Sequence, residues 1–150
     1  MRLTEHFKHT DKKQDYQWPP TDALLSYDKH IIGVADCGGL QFYWLFSDSS
    51  RSECKQYPHD VYKHHKIPQN SRIHKVSIQY HKVEGTVRGF EFRDKDGKVL
   101  MVTDNHKNKG LHGYYEFELG DDERICGLKS GFKCLPSAMH WQVQFIILKN

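Results

Sequence analysis

Histidine is the residue type that first suggests chemistry in this chain, since eleven of its 150 residues are histidines. The densest group is His59, Asp60, His64 and His65, which carries imidazole and carboxylate groups of the kind that bind zinc. On a helix, His59 and His64 would diverge in angle because they are five positions apart. The chain also has no HExxH motif. A solvated loop is the better interpretation, and we expect no metal site.

Cysteines and paired acids are the other candidates for catalysis. Cys37 or Cys134 could act as a nucleophile beside a histidine, but neither lies in a known local signature. Asp121 and Asp122 lie where a hairpin turn is expected, and aspartate in such turns bonds its own backbone. The segment Asp94 to Gly97 lacks the later ligands of a calcium loop. The sequence therefore predicts no enzyme and no cofactor.

Composition and charge limit the kinds of partner that we expect. The formal charge is +3, and the 22 basic and 19 acidic residues are mixed along the chain. A nucleic-acid binder normally concentrates its basic residues on one face, so we expect no nucleic acid partner. Arg2 to Tyr16 is polar throughout and no apolar run could insert into a membrane, which favours a cytoplasmic or otherwise intracellular location. The four cysteines are compatible with two disulfides, but free or buried thiols are the default in an intracellular protein.

The elements that position these side chains have the period of strands. Large apolar residues alternate with others in several segments, and turn signals recur between them, which is typical of a sandwich, barrel or prism. The clearest alternations are Leu40-Phe42-Trp44-Phe46, Val76-Ile78-Tyr80, Phe90-Phe92, Tyr115-Phe117-Leu119 and Trp141-Val143-Phe145-Ile147. The alternation predicts an all-β domain over residues 23–150, preceded by a polar amino-terminal arm over residues 1–22.

Several local features carry finer predictions. Asp94 to Gly97 should form a hairpin turn, because glycine accepts a positive φ, and Val99 to Val102 should be the return strand. Val61 to Ile67 lies in the least patterned stretch and permits a helical turn. A short strand is expected from Ile125 to Leu128. Trp44, Trp141 and Phe145 should lie in the core, whereas three aromatics fall off the alternation and should be exposed: Tyr43, Phe132 and Trp18.

One segment is repeated in the chain. The run from Asp28 to Val34 parallels the run from Asp122 to Leu128: an acidic turn leads into an apolar-Gly-apolar strand. In both cases a glycine-bearing loop and a long alternating aromatic strand follow. The repetition predicts a fold made of similar sheet units, although chance similarity of short strands is the alternative.

Five short motifs, in order, resemble the jacalin-related lectins. They are Val87-Arg88-Gly89-Phe90-Glu91-Phe92, Asp96-Gly97, Tyr115-Glu116-Phe117-Glu118-Leu119, Glu123-Arg124-Ile125-Cys126-Gly127 and Val143-Gln144-Phe145. Together they cover about residues 72–148. The resemblance implies a β-prism of three antiparallel sheets that binds sugars in loops at one end, without a cofactor and without catalysis.

The resemblance also implies a sugar site. Family members carry a glycine and then an aspartate in the loop before the last strand, and a second, glycine-rich loop beside it. Here the first loop contains Gly131, Phe132, Lys133, Cys134 and Ser137, and the second contains Gly38 and Gly39. Counted from Gly131, the position of the aspartate holds Leu135, and aligned from the last strand it holds Ser137; in either case the charge that strengthens such hydrogen bonds is missing.

Two functions follow from these observations. The first is a non-enzymatic lectin-like module whose partner is a carbohydrate or glycoprotein. The second is a structural or assembly role, in which the β-prism and the amino-terminal arm contact another protein. The missing aspartate and the unaligned arm favour the second, and the family resemblance favours the first.

Overall fold

The fold consists of β-strands, and the computed structural model describes residues 2–3, 7–8, 30–37, 41–49, 62–82, 87–103, 110–133 and 139–149. Within these ranges there is no helix long and apolar enough to cross a membrane. The strands are β1 (Arg2–Leu3), β2 (Phe7–Lys8), β3 (Ile31–Cys37), β4 (Gln41–Phe46), β5 (Lys63–Lys66), β6 (Lys75–His81), β7 (Val87–Arg93), β8 (Val99–Val102), β9 (His112–Glu118), β10 (Glu123–Lys133) and β11 (Met139–Lys149).

The strands form three antiparallel sheets. Sheet I joins β10 to β11, and both β1 and β2 pair with the other edge of β11. Sheet II has the order β4-β3-β5, and sheet III has the order β8-β7-β6-β9. The all-β prediction is thus confirmed. Two short pieces of the sequence-predicted arm, Arg2–Leu3 and Phe7–Lys8, belong to sheet I, and most of the arm lies outside the described residues.

The three sheets meet around Trp44. Trp44 belongs to β4 of sheet II. The centroid of its ring lies 4.7 Å from that of Phe90, on β7 of sheet III, and 5.6 Å from that of Phe145, on β11 of sheet I. Both contacts are edge-to-face. Such edge-to-face pairs add to the free energy of burial. The same core holds Phe42, Phe46 and Ile147, which confirms the predicted faces of β4 and β11 at these residues. The side chains of Leu40, Trp141 and Val143, predicted for the same faces, lie outside those that the structure describes. A single apolar core therefore joins the sheets.

A β-bulge occurs once in each sheet at an apolar-x-Gly sequence. In sheet II, Ile31 lies opposite Phe46 and Gly33 opposite the adjacent Leu45, so Ile32 is the extra residue. In sheet I, Ile125 and Gly127 lie opposite the adjacent Ile147 and Ile146, and in sheet III, Val87 and Gly89 lie opposite Tyr80 and Gln79. The repeated segments of the sequence thus begin equivalent hairpins. A bulge bends the strand and increases its twist, which suits the curvature that a closed three-sheet fold requires.

Two local predictions are wrong, and a third is right in kind but too short. Residues 62–67 do not form the helical turn that Val61 to Ile67 permitted, since Lys63–Lys66 pair with β3 as strand β5; Val61 lies outside the described residues. The strand expected at Ile125 to Leu128 extends over all eleven residues of β10, because β11 pairs with it along its whole length. Tyr43, expected to be exposed, is buried at 1% exposure, because it packs against Tyr62 on the outer face of sheet II.

The predicted turns are present. Gly97 has a φ of 84°, and the Asp94 carboxylate accepts hydrogen bonds from the backbone N–H of Asp96 (3.0 Å) and Lys98 (2.9 Å). Asp121 and Asp122 also form a turn, between β9 and β10. Asp94 thus bonds the backbone of its own turn, as expected from its position, whereas Asp121 and Asp122 lie in a turn and face Lys95 and Lys149.

Candidate binding site

The two ends of the strands define two regions of the molecule. Residues of sheets I and II, together with a segment that leads into sheet III, line one cleft: the start of β3, the segment between β5 and β6, and the start of β10. Strands rise about 3.3 Å per residue, so the far end of β3 lies ~20 Å from Ile31 and the far end of β10 lies ~26 Å from Ile125. We call these regions the cleft end and the hairpin end.

The residues of the sequence-predicted sugar site belong to the hairpin end as far as the structure describes them. Gly131 lies opposite Gln142, Phe132 opposite His140 and Lys133 opposite Met139, so these three residues belong to β10 rather than to a loop. Between Gly131 and Phe132 the register shifts, which leaves Trp141 as an extra residue in β11. The other predicted site residues lie outside the described residues: Cys134, Ser137, Gly38 and Gly39.

The cleft end is a concave site that the sequence analysis did not find. Its volume is about 930 Å³, which lies in the range of small-molecule sites. Aliphatic side chains form its floor, among them the buried Ile31, Leu119 and Ile125. Its polar lining comes from several separate segments: His30, Ser47, Lys66, Gln69, Asn70, Ser71, Arg72, Glu123 and Arg124. No sequence motif links these segments, because only the sheet topology brings them together.

The basic groups of the cleft outnumber the acidic ones. Lys66, Arg72 and Arg124 line it, and Glu123 is the one carboxylate among the described lining residues. The Glu123 carboxylate accepts a hydrogen bond from the backbone N–H of Gly120 at 2.7 Å and so stabilises the turn before β10. The guanidinium of Arg72 reaches the carbonyl of Glu123 at 3.5 Å. The cleft therefore presents positive charge above an aliphatic floor.

The histidine group of the sequence does not converge where the structure describes it. His64 and His65 are consecutive in β5, so their side chains point to opposite faces of sheet II. Nε2 of His64 lies 3.0 Å from the Tyr43 hydroxyl, and Nε2 of His65 lies 2.5 Å from a carboxylate oxygen of the buried Asp36. Among the described residues no group of three or more metal-type side chains occurs, and His59 and Asp60 lie outside them.

The outer face of sheet III carries ion pairs rather than a cleft. The Lys75 ammonium donates to the Glu116 carboxylate at 2.9 Å, and this contact raises the pKa of Lys75 above its ordinary value of 10.5. Arg93 pairs with Glu91 on the same face. Tyr114, which is 39% exposed, receives a hydrogen bond from the Gln79 amide at 3.3 Å. This face is polar and its charges are largely neutralised.

Comparison with known proteins gives a fold but no family. No family model matches the chain, and no curated protein matches it. Among solved structures, the second β-prism domain of RbmC from V. cholerae, bound to N-acetylglucosaminyl-β-1,2-mannose, matches with a TM-score of 0.56 at 10% identity, covering 97% of this chain and 99% of that one. The V. cholerae biofilm matrix protein Bap1 matches with a TM-score of 0.59 at 10% identity, covering 99% of this chain.

These matches define the class of fold. The chain has a β-prism fold, as the five motifs of the sequence predicted. It spans only 24% of Bap1, so it corresponds to one part of that protein, whereas it matches nearly the whole RbmC domain.

Proposed function

We propose that this chain is a non-enzymatic β-prism module that binds carbohydrate through the hairpin end. The observation that carries the proposal is the likeness to a β-prism domain solved with a bound disaccharide, which extends over 97% of this chain. The jacalin-like motifs between residues 72 and 148 support the same ligand class independently of that structure. The proposed contacts are Gly131, Phe132, Lys133, Cys134 and Ser137, with Gly38 and Gly39 beside them.

The geometry of sheet I supports this location. Strands β10 and β11 pair along their whole length, which fixes Lys133 opposite Met139 and limits their connection to residues 134–138. Binding sites supported by paired strands hold their contacts more closely than sites on loops alone. Ser137 would accept and donate hydrogen bonds there without the charge of an aspartate, so affinity should be low. One missing charge-assisted bond corresponds to roughly a tenfold loss.

Titration calorimetry against mannose, galactose and N-acetylglucosaminyl-β-1,2-mannose tests the proposal. Ser137→Asp should strengthen binding about tenfold, because it adds a charged acceptor. Gly131→Trp should abolish it, since glycine there allows close approach of the sugar. Ser49→Asp, in the exposed turn after β4 at the cleft end, is the control with the same chemical change and should have no effect. If neither the natural chain nor Ser137→Asp binds any sugar, the proposal fails.

An assembly role is the second candidate, and the absence of an aspartate at position 137 favours it. The exposed side chain of Leu111, 61% accessible just before β9, would be one contact for a protein partner. The test is a pull-down with the intact chain and with a variant lacking residues 9–17, which leaves the paired strands β1 and β2 in place. Loss of a captured partner on that deletion, together with no heat from any sugar, would favour assembly over carbohydrate binding.

A further inference from the structure

The cleft end is a concave feature of the described structure, and the sugar site proposed above does not use it. Its lining comes from sheet II at His30 to Ile32, from the segment between β5 and β6, and from sheet I at Glu123 to Ile125. About 930 Å³ is enough for a trisaccharide or a short peptide. Since strands of seven and eleven residues separate the two ends, a ligand in the cleft could not also contact the hairpin end.

The positive charge of the cleft indicates the charge of its ligand. Lys66 and Arg72 have no carboxylate partner among the described residues. Several lysines outside the cleft do have one: for example, Lys75 bonds Glu116 at 2.9 Å, and Lys95 bonds Asp121 at 3.2 Å. An anionic ligand would supply the missing negative charge, and an arginine fork suits a carboxylate or a sulfate in particular.

The backbone of the cleft walls argues for a compact ligand rather than an extended peptide. The N–H of Ser47 donates to the carbonyl of His30 at 2.9 Å, and the N–H of Ile67 donates to the carbonyl of Ile32 at 2.9 Å. These wall groups are therefore engaged within the fold, which disfavours addition of a peptide strand, since that mode depends on free main-chain groups. Recognition must come from side chains.

The neutral polar side chains complete the match to a hydroxyl-bearing ligand. Ser47, Gln69 and Asn70 line the cleft beside the cations, and hydroxyl and amide groups both donate and accept hydrogen bonds. Sugar hydroxyls require both, whereas Lys66 and Arg72 can only donate. Aliphatic floor residues such as Ile67 and Ile73 can contact the apolar faces of a ring.

We propose that the cleft end is a second saccharide site, specific for sugars that carry a carboxylate or a sulfate group. The saccharide class rests on the proposed function, but the location and the charge preference do not. The protein would thus have a neutral-sugar site and an acidic-sugar site at opposite ends of the prism. Such a molecule could join two glycans.

Titration of the full chain with sialyllactose, sulfolactose and lactose tests this proposal. Sialyllactose and sulfolactose differ from lactose by an acidic group, and their two affinities separate carboxylate from sulfate recognition. The double variant Lys66→Gln/Arg72→Gln should weaken the acidic sugar at least tenfold, since two charge-assisted bonds are lost. Lys75→Gln/Lys98→Gln removes the same charge outside the cleft and should leave the affinity within about twofold, as surface charges there act only at a distance.

The outcomes separate the two sites. Loss of acidic-sugar affinity in the cleft variant, with unchanged binding of mannose, supports the second site even if Ser137→Asp fails to strengthen mannose binding. An equal loss in both double variants would overturn it, because the effect would then be one of net charge. Unchanged acidic-sugar affinity in the cleft variant, or binding of an acidic peptide but of no acidic sugar, would overturn it too.

Discussion

The outer faces of sheets II and III are covered by different kinds of side chain. In sheet III, β6, β7 and β9 direct apolar residues to the core, and the outer face carries Lys75, Glu91 and Glu116 around the buried polar side chains of Ser77 and Gln79. In sheet II, β3 and β4 also direct apolar residues to the core, but the outer face buries an aromatic cluster. There Ala35 and Tyr43 form a second small cluster with Tyr62.

The difference has a visible physical basis in sheet II. The rings of Tyr43 and Tyr62 lie 4.8 Å apart at 61°, and the Tyr43 hydroxyl has a hydrogen-bond partner in His64. Tyrosine can be buried on an outer face in this way, since its ring packs and its hydroxyl is satisfied. In sheet III the outer face holds the ion pair Lys75–Glu116 and the buried polar side chains of Ser77 and Gln79 instead of aromatic rings. Alternation along a strand therefore identifies one buried face but does not show that the opposite face is exposed.

The largest loss of stability is expected at Tyr43, on the outer face of sheet II. Tyr43→Ala should lower the free energy of unfolding by about 3 kcal/mol, because it removes a buried ring. Glu116→Ala, on the outer face of sheet III, should cost less than about 1 kcal/mol, because its ion pair with Lys75 is partly exposed to solvent. Chemical denaturation of both variants measures the difference. Equal losses would mean that the two outer faces are alike.

The next largest effect is expected from a buried polar pair in sheet II, compared with an exposed ion pair beside sheet III. Asp36 and His65 pair on the core side of sheet II with side-chain exposures of 5% and 10%, whereas Lys95 and Asp121, beside sheet III, are 70% and 76% exposed. A double-mutant cycle to alanine should give a coupling of about 1–3 kcal/mol for the buried pair. The exposed pair should give at most about 1 kcal/mol. A larger coupling for Lys95 and Asp121 would contradict this.

Local pattern in the sequence was sufficient to predict the fold. The core-facing residues of β4, β6, β7 and β9 follow from the alternation of apolar residues, and the turn at Asp94 to Gly97 follows from its residue types. The wrong predictions have a common cause. Burial of Tyr43 and the strand Lys63–Lys66 depend on pairing with distant residues, and the sequence Lys-His-His-Lys has no apolar alternation to indicate a strand.

Of the two candidate sites, one could be predicted from the sequence and the other could not. The predicted sugar loop came from a resemblance and remains a prediction, since Ser137 lies outside the described residues. The cleft could not have been predicted, because Lys66, Arg72 and Arg124 belong to segments that converge only in the folded chain. A basic residue in a polar loop gives no sign of the cleft that it lines.

A substitution at Gly33, in the bulge of sheet II, should cause an intermediate loss of stability. A Cβ atom at Gly33 would lie 2.7 Å from the backbone carbonyl oxygen of His65 on β5, so the strand pairing must shift. Gly33→Ala should therefore cost about 1–3 kcal/mol, as overpacking does. Gly120→Ala is the control, since its Cβ would meet only flexible carboxylates at 3.1–3.2 Å, and it should cost less than about 1 kcal/mol. Thermal denaturation of the two variants tests whether β5 packs this closely on β3.

The smallest effect is expected at the ion pair of sheet III. Glu116→Gln should lower the pKa of Lys75 towards its ordinary value of 10.5, because the Glu116 contact is the main cause of its raised pKa. The sign of the raised pKa means that the pair stabilises the fold below the ordinary value, and that this contribution is lost as the pH rises through the raised one. NMR titration of the Lys75 side chain measures the shift, with Asp121→Asn as a control that should leave it unchanged. Because the pair is exposed, Glu116→Gln should barely change the melting temperature at neutral pH. A destabilisation as large as that of Tyr43→Ala would show that the outer face of sheet III is as important to stability as that of sheet II.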